Sequence, residues 1–124
     1  MNEDANTIAT AHFPCSLCGK EAGVVQLLGN AAPAELRRTS FTGALTAAIT
    51  DTDIPTLRRI LAVRDACALH AFDLEYAPFY CPACNASYCG DHWETWDVFD
   101  EDDPSWHDSI RGRCPHGHER MLED

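Results

Sequence analysis

Four short pairs of cysteine and histidine limit what this chain can fold into. Cys15 and Cys18 lie in CSLCG, Cys81 and Cys84 in CPAC, and Cys89 and His92 in CGDH; Cys114 pairs with His118, or alternatively with His116, in CPHGH. A two-residue spacing lets both side chains of a pair reach one ion while nearby backbone N–H groups face the sulfurs. Gly19 follows the first pair, where a tight turn needs a permissive residue. Pro82 and Pro115 follow the first ligand of their pairs and preset the turn. Six cysteines and two histidines make eight donors. Tetrahedral zinc takes four, so the arithmetic closes on two Zn2+ ions per chain. Gly117, just before His118, lets the backbone turn back toward the ion and favours His118 over the tighter CxH chelate through His116.

Composition asks for metal independently of the spacing. From Tyr76 to Asp124 the only aliphatic residues larger than alanine, or Met, are Val98, Ile110, Met121 and Leu122, yet all three tryptophans lie there. Such a segment cannot build an ordinary core. A structural zinc contributes an apparent ~10–16 kcal/mol in small fingers, as much as the whole stability of a domain. Trp93, Trp96 and Trp106 are expected to cover the metal sites as a substitute core.

Two groupings of the pairs are open. Sequential pairing puts Cys15, Cys18, Cys81 and Cys84 on one ion. Interleaved pairing puts Cys15, Cys18, Cys89 and His92 on one and Cys81, Cys84, Cys114 and His118 on the other. The spacer Asn85–Tyr88 is short and strand-like, which carries its two ends to different ions, and interleaving makes both sites Cys3His. Interleaving is therefore favoured. The order CxxC, CxxC, CxxH and a final CP-containing pair resembles cross-brace zinc folds of the RING, FYVE and B-box type. YCPACNASYCGDHW is similar to their central stretch, and the resemblance implies a treble-clef arrangement in which His92 opens a helix. It covers Cys15–Cys18 and Tyr80–His118, but not the long insert between the first two pairs, and CPHGH departs from the usual CPxC.

The fold class expected is a small α+β, zinc-stabilised, treble-clef or RING-like cross-brace with a helical insertion. A single domain is expected over residues 1–124, with a first zinc knuckle and short strands over 13–30, the insertion over 35–75 and a zinc-binding core with an acidic loop over 76–124. Leu57, Ile60, Leu61, Arg64, Ala68 and Phe72 fall near a 3.6-residue period, and Asp51, Thr52 and Asp53 before Pro55 suit a helix start. A shorter helix is expected over 43–49, and short strands over 24–28 and 38–42. Cys67 is assigned to core packing, while His12, His70 and His107 carry no ligand role.

Net charge is −11 at pH 7. That disfavours a surface built to neutralise phosphates and adhesion to an anionic membrane, so a protein with a basic surface is the expected partner. Arg111, Arg113 and Arg120 could form a small basic patch near the last pair, although nucleic-acid binding is not expected. Asp97–Asp108, DVFDEDDPSWHD, is a strongly acidic run without the glycine and ligand spacing of an EF-hand loop. The start MNEDANTIATAHFP lacks the basic and apolar regions of a signal peptide, no apolar run has a membrane-spanning length, and seven cysteines cannot all pair, so a reducing, cytoplasmic setting is expected. The only lysine is Lys20, which with the many alanines suggests GC-rich, bacterial coding. With both sites closed by protein ligands, the expected function is a non-catalytic interaction or adaptor module. A RING-like ligase or a zinc-dependent enzyme is the alternative.

Overall fold

Alternation of apolar and polar side chains dictates the first half of the molecule. A computed structural model describes residues 7–29 and 33–123. In it, β1 (Thr7–Pro14), β2 (Glu21–Leu28), β3 (Ala34–Ser40) and β4 (Gly43–Ile49) form an antiparallel meander in the order β1-β2-β3-β4. Every second residue points to the core: Ala11 and Phe13 on β1, Val25 and Leu27 on β2, and Ala34, Leu36 and Arg38 on β3.

This corrects the helical reading of residues 35–49. Both halves of that segment are strands, and GALTAAI, expected as a helix, is β4. Its apolar residues satisfy either period; Leu45, Ala47 and Ile49 share one face in register with Arg38, Leu36 and Ala34 of β3. Alanine has little strand preference of its own, so pairing with β3 outweighs local propensity here.

Helix is confined to α1 (Ile54–Ala62) and α2 (Ala66–Phe72), followed by a 3-10 turn over Leu74–Tyr76. The expected continuous run breaks at Arg64, whose φ of 54° is left-handed, and Asp65 restarts the chain by accepting from the Ala68 backbone N–H at 3.0 Å. Leu57 and Leu61 of α1 are buried, and the helix packs against β1 and β2. Cys67 is exposed, not a core residue, because α2 is a separate short helix that buries Leu69 instead.

The second half contains a two-residue ladder, β5 (Tyr80–Cys81) with β6 (Ala86–Ser87), and an antiparallel sheet of β7 (Glu94–Phe99), β8 (His107–Arg113) and β9 (Glu119–Glu123). The chain after His92 is thus a strand where the family resemblance implied a helix. Trp93 is buried with its Nε1–H donating to the Phe79 carbonyl at 3.2 Å, and beyond it Trp96 and Val98 alternate with exposed neighbours. That period of two selects a strand.

One apolar cluster joins the two halves. Phe79 stacks on Phe13 with ring centroids 4.9 Å apart, and its ring lies where a Cβ on Gly23 would come within 2.4 Å. Trp93 packs between Phe41 and Tyr88. Arg38, 0 % exposed, reaches from β3 to Glu123 of β9 at 3.1 Å and to the Thr42 hydroxyl at 2.7 Å. Among the described residues, no helix is long and apolar enough to cross a membrane.

Candidate metal centres

The ligand pairs sit at turns. Cys15 and Cys18 occupy the connection between β1 and β2, and Cys114 and His118 that between β8 and β9. The two connections are built alike. The first ligand's N–H closes the turn onto a later carbonyl, Cys15 to Lys20 at 2.7 Å and Cys114 to His118 at 2.9 Å. The N–H two residues on, of Leu17 or His116, points back at the first sulfur at 3.4 Å. Gly19 (φ 76°) and Gly117 (φ 89°) supply the left-handed backbone each turn needs. Cys81 and Cys84 lie on the turn of the β5–β6 ladder, whose Asn85 is also left-handed, and Cys89 and His92 lie on a turn closed by His92 N–H to the Cys89 carbonyl at 2.9 Å. The Ser16 N–H bonds the Ser87 carbonyl at 2.8 Å, fixing the first turn beside the third.

Folding gathers the eight donors into two groups. Cys15, Cys18, Cys89 and His92 form one, and Cys81, Cys84, Cys114 and His118 the other, with the donor atoms of each group within 4.8 Å of one another. This is the interleaved grouping. Within the first group Cys18 and Cys89 sulfurs are 3.6 Å apart, and His92 Nδ1 lies 3.3 Å from Cys89 Sγ and 3.5 Å from Cys15 Sγ. Within the second, Cys84 and Cys114 sulfurs are 3.7 Å apart, and His118 Nδ1 lies 3.2, 3.4 and 3.8 Å from the sulfurs of Cys84, Cys114 and Cys81. Four such donors around one ion, with bonds of about 2.3 Å to sulfur and about 2.0 Å to nitrogen, stand roughly 3.5–3.8 Å from one another at tetrahedral angles. The residues therefore fit a metal ion. Disulfides are a different geometry, with sulfurs about 2 Å apart, and all seven cysteines are free. His116 stands outside the second group, its exposed ring against Tyr88 at 6.1 Å.

The local fields favour thiolates unevenly. Burial raises the Cys15 thiol, but backbone N–H groups at Cys89, Leu17 and Cys18 outweigh it and bring the pKa down to about 6. Cys114 behaves likewise, coming down to about 7 against its burial through the backbone of His118 and His116. Burial, opposed by the Cys84 backbone N–H but aided by the Cys84 and Cys114 side chains, pushes Cys81 up to about 11, and burial also raises Cys89. Each group thus holds one sulfur whose pKa is lowered and one whose pKa is raised. Lys20 and Asp91 bridge the first and third turns at 3.0 Å on the surface.

Sequence reasoning placed Arg120 in a candidate basic patch and missed its structural role. Its guanidinium donates from Nη1 to the carbonyls of Ala77 (2.9 Å) and Tyr80 (2.6 Å) and from Nη2 to that of Leu74 (3.1 Å), while Nε donates to Met121 (2.9 Å). Burial lowers its pKa to about 10, partly offset by Cys81. Arg120 therefore fastens β9 to the backbone leading into Cys81. An arginine two positions after a ligand carries no spacing signal that marks it for this role.

Of the three tryptophans, Trp93 alone is buried. Trp96 is half-buried, with the Arg113 guanidinium 5.7 Å from its ring centroid, and Trp106 is 66 % exposed, which corrects the expectation that all three cover the metal sites. Trp106 lies in the acidic run, now a hairpin tip between β7 and β8. That tip is shaped internally. Asp100 Oδ1 accepts from the N–H groups of Asp102 and Asp103, and Asp103 accepts from Ser105. Phe99 is 51 % exposed and meets His107 edge-on, and His107 pairs with Asp97 at 3.0 Å.

No curated protein matches the chain, and no solved structure does. A family model described as "Domain of unknown function (DUF8328)" matches residues 5–124, nearly the whole length, and the chain belongs to that family.

Proposed function

We propose that the chain is a non-catalytic, zinc-stabilised interaction module of cross-brace connectivity, which docks a basic protein on the acidic β7–β8 hairpin. The observation that carries this reading is that each donor group is already a complete Cys3His set. A site closed by four protein ligands leaves no position for water or substrate, which is the mark of a structural ion. Zinc is the metal such thiolate-rich tetrahedral sets select. The ligand order supports the cross-brace kinship; the strand after His92 departs from its treble-clef form.

The hairpin supports the partner assignment. Asp97, Asp100, Glu101, Asp102, Asp103 and Asp108 surround exposed Phe99 and Trp106, with no lysine or arginine in the run. Aromatic faces flanked by carboxylates suit arginine and lysine side chains through cation–π contact and charge. Two of the three arginines expected as a basic patch are engaged elsewhere: Arg113 pairs with Glu94 (3.3 Å) and Glu119 (2.6 Å), and Arg120 with carbonyls. This favours a protein partner over nucleic acid.

Two experiments test the reading. Cobalt-substituted protein should show tetrahedral thiolate spectra unmoved by added anions; a shift with azide or cyanide would reveal an open site and favour an enzyme. Titration with arginine-rich peptides should quench tryptophan fluorescence and weaken with salt, and Trp106→Ala should weaken binding about tenfold or more. Equal binding by that variant would sink the hairpin assignment.

A further inference from the structure

The outer edge of β4 is unlike the other sheet edges. The order β1-β2-β3-β4 leaves β1 and β4 at the edges of the first sheet, and β7 and β9 at those of the second. β1 is packed by α1, has two register irregularities and ends in Pro14. β7 carries Glu94 and Asp97, and β9 carries Glu119, Arg120 and Glu123. Charge, proline, bulges and cover are the devices by which proteins block strand addition. β4, Gly43–Ile49, carries no charge, proline or bulge: its sequence is GALTAAI, and its register with β3 is unbroken. Among the described residues, no backbone hydrogen bond runs outward from it.

The core face is also unfinished there. Opposite the buried Arg38 and Leu36 of β3 stand Leu45 and Ala47, which pack against the core yet remain half-buried. A further strand would complete their burial.

We propose that this edge pairs with the β4 edge of a second copy of the chain. Antiparallel pairing about a twofold axis through Thr46 sets Thr46 against itself, Leu45 against Ala47, Ala44 against Ala48 and Gly43 against Ile49. Each cross-strand pair is small against small or large against small, and a Thr–Thr pair is a favourable one. The pairing keeps Leu45 and Ala47 of both copies on one face, so the two four-stranded sheets become one continuous sheet. Twofold self-complementarity is the commonest symmetry of soluble oligomers. Charge selects the occupant: a basic protein gains nothing from a neutral edge when an acidic hairpin is on offer. Two chains of net charge −11, in contrast, can only meet closely where neither presents charge. A single strand pair buries less than the roughly 1,600 Å² of a standard interface, so association is weak and reversible. The long-range repulsion between copies makes it tighten with salt, opposite to the hairpin's binding of a basic partner.

Sedimentation equilibrium of the full zinc-loaded chain, from about 10 µM to about 1 mM at low and at 1 M salt, tests this. The expected result is a monomer–dimer equilibrium, stronger in high salt, with amide exchange over residues 43–49 slowing as concentration rises. Thr46→Glu places two carboxylates face to face at the axis and should weaken the dimer at least tenfold, with metal content and circular dichroism unchanged. A monomer throughout the range in both salts overturns the proposal, as does a dimer indifferent to Thr46→Glu. Should that variant fold poorly, the wild-type exchange data decide: protection that does not depend on concentration over 43–49 counts against the pairing.

Discussion

Arg38 is the most exacting residue in the molecule. It is fully buried, its Nε has no hydrogen-bond partner among the described residues, and its charge is answered by Glu123 and the Thr42 hydroxyl. Burial lowers its pKa and Glu123 raises it again. A buried pair contributes little net stability, but removing one partner strands the other's charge, at a cost of about 3–5 kcal/mol. Glu123→Gln should therefore destabilise the chain by several times more than an ordinary surface change, measurable as a lowered midpoint in urea. Nothing in the sequence marked this residue: an arginine on a strand reads as solvent-facing, and its burial follows from where β9 lands. The clustering of the candidate metal donors was legible for the opposite reason. Their spacing is a local requirement of chelation, and it survives whatever the rest of the chain does. Cys67 shows the limit, since its assignment to the core assumed one continuous helix that the turn at Arg64 breaks.

At the level of elements, tertiary pairing decided what local pattern could not. Residues 43–49 carry alanines and alternate-facing aliphatics that suit helix and strand alike, and β3 supplied the partner that settled it. The tryptophans separate by element in the same way. Trp93 precedes β7 and fills the space between Phe41, Tyr88 and Gly112, whereas Trp106 lies at a hairpin tip. Truncating a buried aromatic costs about 3–5 kcal/mol, and an exposed one changes stability by about 0.5 kcal/mol or less. Thermal unfolding should accordingly show Trp93→Ala severely destabilised and Trp106→Ala near wild type. Comparable losses in both would mean that the tip is part of the core. The helix implied after His92 did not form because residues 94–99 alternate with period two, a signal present in the sequence but subordinated to the family resemblance.

On the scale of the whole molecule, one candidate metal centre ties the meander to the aliphatic-poor half by joining the β1–β2 turn to Cys89 and His92, and the other closes that half on itself by joining the β5–β6 turn to the β8–β9 turn. A zinc ion held by cysteines needs thiolates, so a zinc-loaded fold would bind fewer protons than the unfolded chain. The stability the ion contributes would be complete above the ordinary thiol pKa of about 8.5 and would be lost as pH falls and protons displace the ion from the sulfurs. Acidification from about pH 7 to about pH 4, or a strong chelator, should therefore abolish the near-ultraviolet dichroism of Trp93, and zinc at neutral pH should restore it. The central claim, two closed and interleaved zinc sites, is tested most directly by native mass spectrometry of paired alanine variants. Wild type should carry two zinc ions. Cys15→Ala with Cys89→Ala should carry one, because both fall in the same group, and Cys15→Ala with Cys81→Ala should carry none. The reverse pattern, with Cys15→Ala and Cys81→Ala together sparing one ion while Cys15→Ala and Cys89→Ala lose both, would contradict the account.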